Sequence, residues 1–182
     1  MAKKIKEHTY DDLEDYLEIF QNETDRACAV LGAAHLDYLL AKAIEAHLPR
    51  GSEVSDEILF KPEAPIGTFS SRISMAYALD IINQETKEYL NTIRRIRNDF
   101  AHTIEIHSFD EDQSIIDKCK NLHIGIKQAE SYPEPHKSDL KKPRKLFEMT
   151  VISIQDDLRL SAGMTSEKAK RVLMVKKVED DQ

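Results

Sequence analysis

Within Arg94-Arg95-Ile96-Arg97-Asn98-Asp99-Phe100-Ala101-His102, cations, an amide and an imidazole fall within about two helical turns. Such a set can cleave RNA without a metal. Attack by the 2′-hydroxyl needs a group that exchanges protons near neutral pH, and a fixed cation that meets charge developing on the phosphorus. In that reading His102 is the acid or base, Arg97 clamps the phosphate and Asn98 orients either one. The same side chains have a second, structural use. At a helix C-terminus they hydrogen-bond the last carbonyls or a partner subunit, and the helix dipole favours cations there. Both readings stand at this level.

Spacing constrains the first one. Each helical residue turns the chain by about 100°, so the five-residue step from Arg97 to His102 is a rotation of about 140°. Asn98 and His102, four residues apart, share a face. Arg97 and His102 converge only if the helix stops near Ala101 or two copies meet.

The element carrying these residues is legible from its apolar period. Tyr89, Leu90, Ile93, Ile96 and Phe100 recur at helical steps and predict a helix over Gln84–Ala101. Upstream, Asp11 and Asp12 precede Leu13, Tyr16, Leu17 and Phe20, a first helix from Tyr10 to Phe20. Thr24 is placed to cap a long central helix running to Pro49 and Gly51, with Ala27, Val30, Leu31, Ala34, Tyr38, Ala41 and Ile44 on its core stripe. Its alanines suit close approach of another helix, from this chain or a second subunit.

Ile58-Leu59-Phe60 reads as a short helical turn beneath a long Pro-containing loop. Thr68 or Ser70 opens a helix through Ile82. The chain then alternates over Ile104, Ile106 and Phe109 as a short extended piece, and Ser114–Gln128 reads as one helix. Tyr132–Pro143 is a loop, Leu146–Leu160 a helix on Phe147, Val151, Ile154 and Leu158, and Thr165–Val178 a basic amphipathic tail. The expectation is an all-α bundle of about six to seven helices, one domain over 1–182 with its core at 24–160 and flexible ends at 1–9 and 179–182.

Composition agrees. Across 182 residues, 41% are hydrophobic and 32% charged, with 5 Gly and 6 Pro, which fits a single helical core. Met1–Lys6 is polar and basic and offers no apolar run of leader length, and Ala27–Ala46 is interrupted by His35, Asp37, Lys42 and Glu45. A cytoplasmic protein without a membrane span is expected. Cys28 and Cys119 read as reduced thiols. The net charge of −7 confines any nucleic-acid contact to a local patch.

Other features have modest functional content. Lys137, Lys141, Lys142, Arg144 and Lys145 can meet phosphates or serve as a solvated loop. His102, Glu105 and His107 beside Asp110, Glu111 and Asp112 lack the spacing of a tetrahedral metal set, so no metal is expected. Tyr38, Tyr77 and Tyr89 fall on apolar faces as core filling, and His35 and His47 read as edge or capping residues. Gly67 stands alone, without a phosphate loop, and no serine elbow is present. No cofactor is implied.

Two resemblances add to this reading. The string RNDFAH resembles the signature of the HEPN superfamily, whose matching residues form a metal-independent ribonuclease site in a helical dimer; this implies Arg97, Asn98 and His102 as catalytic residues of an endoribonuclease, a toxin or defence effector acting on RNA. Over Thr24–His102, and more loosely to Leu160, the chain is similar to the mannitol operon repressor (MltR) family. The residues that carry this are RACAVLGAAHLDYLLAKAI, APIGTFSSRISMAYALDIIN and IRRIRNDFAH. It implies a homodimeric helical transcriptional regulator that works through a protein partner, in keeping with the absence of a helix-turn-helix, zinc finger or basic zipper from the sequence.

Overall fold

The computed structural model describes residues 20–48, 56–61, 63–130, 133–134 and 136–164, and all elements among them are helical. The expected basic tail at Thr165–Val178 and all but Phe20 of the expected first helix lie outside the described residues. Helix α1 spans Asp25–His47, α2 Phe69–Ala78, α3 Gln84–His102, α4 Gln113–Lys120, α5 His123–Glu130, α6 His136–Leu140 and α7 Pro143–Ser161; Asp56–Phe60 forms one π-helical turn.

Helix α1 starts where Thr24 Oγ1 accepts from Ala27 N–H at 3.3 Å. It is the central element, packed by α7, α3 and α2. Its buried side differs from the expected stripe. Cys28, Ala29, Gly32, Ala33, Leu36, Leu39, Leu40 and Ala43 face the core with the expected Ala41 and Ile44, whereas Ala34 is exposed and Leu31 is 37% exposed. Small residues define that face because large rings enter it: a Cβ on Gly32 would lie 2.9 Å from Phe20 and 3.2 Å from Phe147. By length and composition Asp25–His47 would pass for a membrane span, despite its polar interruptions, and its apolar side is occupied by the bundle instead.

Local chemistry sets the other boundaries. Thr68 and Ser71 form a reciprocal capping box that starts α2. This helix stops at Ala78, short of Ile82, because Asp80 takes a left-handed φ of 57° and turns the chain into α3. Asn83 Oδ1 then accepts from Thr86 N–H at 2.8 Å to open α3. The helix expected over Ser114–Gln128 is two helices: Asn121 and Leu122 N–H groups bond back to Lys118 and Cys119, and Leu122 is buried in the turn. The Tyr132–Pro143 stretch contains α6, and Pro143 at the first turn starts α7 early, so Arg144 and Lys145 are helical.

Residues 103–112 hold no strand. They turn from α3 into α4 as a loop with Phe109 buried at its centre, between Phe100 at 4.8 Å and Phe147 at 5.1 Å between ring centroids. Tyr89 is buried as expected, but Tyr77 is 40% exposed, its ring beneath Lys87 Nζ at 3.9 Å.

Candidate functional site at the end of helix α3

Phe100, in the middle of the motif, is a core residue with no exposure, and it fixes how the rest of the helix end is presented. Arg97 and Asn98 are half-buried, and His102 is exposed. The helix continues through His102, with Thr103 N–H closing on Asp99 O at 2.9 Å. Arg97 and His102 therefore keep their rotation of about 140°. Asn98 lies one turn from Arg94, Arg95 and His102, and these four make the contiguous face. A centre using both Arg97 and His102 would draw one of them from a second copy.

Arg97 turns its charge toward α1. Burial pushes the Asp37 carboxyl above its ordinary value, opposed by the hydrogen bond from Arg72 and, more weakly, by the charge of Arg97. Arg72 is the main partner: it donates to Asp37 at 2.7 Å, to Leu59 O at 2.5 Å and to Ile66 O at 3.1 Å, tying the π turn and the following loop to α1 and α2. Asp99, next in the motif, is paired with Lys118 at 2.9 Å.

Arg94, Arg95 and Arg97 make no hydrogen bond or close ion pair among the described residues, and Arg94 Nε is buried without a partner. Guanidiniums carry many donors, and leaving a buried donor unsatisfied costs about 1–3 kcal/mol.

Two residues at the start of α1 position this helix end, and the sequence reading passed over both. The Arg26 guanidinium donates to Phe100 O, to Thr103 O at 3.3 Å, to Ile104 O at 3.2 Å and to Ile106 O at 2.8 Å. Asp25 Oδ2 accepts from Phe109 N–H at 2.8 Å, while its Oδ1 takes Arg144 at 2.6 Å. The loop after His102 is pinned, and Ile104 stands on it 79% exposed. Asp25 offered one signal, a first-turn acid, which the helix dipole alone explained.

Arg144 and Lys145, expected in a phosphate-facing or solvated loop, instead hold the buried Glu148 at 2.7 Å each, and Arg144 reaches Gln21 O and Glu23 O as well. His102, Glu105, His107 and the acids at 110–112 do not gather into a metal-holding group among the described residues.

Beside α3 runs a polar groove of about 420 Å³, between Asn91, Thr92 and Arg95 on one wall and Asn121 and His123 on the other. Tyr89 floors it, its hydroxyl donating to Glu85 at 2.6 Å. That bond, with Lys127 nearby, holds the Glu85 carboxyl below its ordinary value, while burial and then Glu85 raise the Tyr89 hydroxyl. Two carboxylates share the groove with the Arg95 guanidinium, Glu85 and Glu88, the latter accepting from Gln84 Nε2 at 2.7 Å.

No protein-family model and no curated protein matches the chain. Solved structures do. In fold it resembles MtlR. The X-ray structure of the MtlR–HPr complex from Escherichia coli superposes with a TM-score of 0.62 at 18% identity, over 80% of this chain and 96% of that one. A possible transcriptional regulator, YggD, from Shigella flexneri superposes at 0.58 and 14% identity, over 87% and 99%. The MtlR-like helical fold foreseen from the sequence is present, at identities where fold alone is shared.

Proposed function

We propose that this protein is a transcriptional regulator that acts through a protein partner. The observation that supports this reading is the fold, common to most of the chain and to MtlR, which was solved with a protein, HPr, bound to it. The helix end is compatible with it: Ile104 stands 79% exposed on a loop whose carbonyls Arg26 holds, an apolar side chain that a partner protein can cover. No described helix pair carries a basic recognition helix, so promoter contact is assigned to the partner.

The test compares transcripts in a strain lacking the gene with those in a complemented strain, and measures binding of the purified protein to HPr of the same host by calorimetry. A bounded set of altered transcripts, with no retardation of their promoters by the purified chain alone, is expected. Unaltered transcripts overturn the reading; missing HPr binding alone redirects the search for the partner.

Metal-independent RNA cleavage is the second reading, favoured by an exposed His102 one turn beyond Asn98 and by guanidiniums that make no hydrogen bond among the described residues. Incubation with total RNA in EDTA tests it. Cleavage by wild type and none by His102→Ala is the expected pattern, and an inert wild type ends the idea.

A further inference from the structure

We infer that the groove beside α3 binds a small linear zwitterion, its cationic end at Glu88 and Glu85 and its carboxylate on Arg95. A basic amino acid is the simplest member of that class. The inference stands on the groove alone and goes beyond the regulator reading, to which it adds a small-molecule input.

Charge argues for it first. Glu88 and Arg95 both line the groove from α3, seven residues apart, which is about 10 Å along the helix axis. Across that separation they do not pair with each other. Among the described residues Glu88 accepts only from the neutral Gln84 amide, and Arg95 makes no hydrogen bond or ion pair. Glu85 is better served, with Lys127 at 3.5 Å and the Tyr89 hydroxyl at 2.6 Å. One end of the groove thus offers a carboxylate without a cation, and the other a guanidinium without an anion. A ligand with a single charge satisfies one end only; a zwitterion forms charge-assisted bonds at both.

Construction argues for it next. Tyr89, 4% exposed, is fixed on Glu85; Asn91 Nδ2 donates to Lys87 O and Asn121 Nδ2 to Asp117 O, each at 3.0 Å. These bonds set the floor and both walls before a ligand arrives, which lowers the ordering cost of binding. The carboxamide oxygens that remain accept hydrogen bonds from an ammonium or an amide N–H. A volume of about 420 Å³ lies within the range of small-molecule sites, about 300–1,000 Å³.

Other occupants fit less well. RNA or an acidic peptide would bring its negative charges against Glu85 and Glu88, and a simple amine would leave Arg95 unanswered. No group of three metal-holding side chains forms among the described residues.

Titration of the isotope-labelled full chain, followed by NMR, tests the inference with four probes: 6-aminohexanoate, L-lysine, hexylamine and hexanoate. The first two should shift the amide resonances of residues 88–95 and 121–123 saturably, and bind about tenfold or more tighter than either singly charged probe. Glu88→Gln and Arg95→Ala alter exposed positions, and circular dichroism confirms their folding. Each should weaken 6-aminohexanoate by about tenfold. Glu88→Gln should spare hexanoate and Arg95→Ala should spare hexylamine, a charge-specific pattern that a merely structural role would not give. Lys141→Ala, an exposed cation paired with Glu130, should change nothing. Absence of saturable shifts, hexylamine binding as tightly as 6-aminohexanoate, or full affinity in either groove variant each overturns the proposal. Transcript profiling is independent of these titrations, so this site and the regulator reading fail separately.

Discussion

Individual side chains on this protein are most informative where they lack, or exceed, their usual partners. Arg26 answers carbonyls from four residues, and its loss would leave the end of α3 and the following loop uncapped. Arg26→Ala should lower stability by about 1–3 kcal/mol, read by urea unfolding, and speed amide exchange in residues 103–108 before other loops. An unchanged exchange pattern would show that the Phe109 ring and the Asp25 bond to its N–H hold the loop without Arg26. Cys28 and Cys119 are fully buried, and burial pushes both thiols up to about 12. Neither should react with a thiol reagent at pH 8 until the chain unfolds. The sign for stability follows from the raised values. Above the ordinary value of 9.0 the unfolded chain loses thiol protons that the folded chain keeps, so stability is full below that pH and declines as pH rises toward about 12. Thermal melts across this range should show a steeper decline for wild type than for Cys28→Ala/Cys119→Ala.

At the scale of elements, helix α1 is governed by what must fit against it. Gly32 is a poor helix former, and alanine there gains about 1 kcal/mol in propensity. Yet Gly32→Ala should destabilise by about 1–3 kcal/mol, because its new methyl meets the rings of Phe20 and Phe147. A higher melting temperature would show that the rings can yield. The π turn and the loop after it depend on a different device, the Arg72–Asp37 pair. Arg72→Ala strands a half-buried carboxylate and two carbonyls, so a loss of about 3 kcal/mol is expected in chemical denaturation. Much of this was legible beforehand. The apolar period of α3 and the caps at Thr24 and Thr68 are local, and local rules locate them. The buried side of α1 was not legible, since alanines and a glycine among leucines give nearly the same hydrophobic pattern on several faces; the choice was made by the rings that arrive from elsewhere.

For the whole molecule, the question raised by Arg97 and His102 concerns how many chains are involved. A continuous α3 keeps them on different faces. If RNA is cleaved, the reaction should belong to a pair of chains: Arg97→Ala and His102→Ala proteins, each inert, should regain activity when unfolded and refolded together. Failure to complement, with wild type active, would require a site within one chain. The sequence by itself determined the helical class, most helix starts, and the cluster from Arg94 to His102, because these follow from residue type and near-neighbour spacing. Tertiary structure alone decided which members of that cluster remain unpartnered. Lys118 reaches Asp99 from 19 positions away and Arg26 reaches the Phe100 carbonyl from 74, and a pairing across such separations depends on how helices pack, which no local pattern encodes.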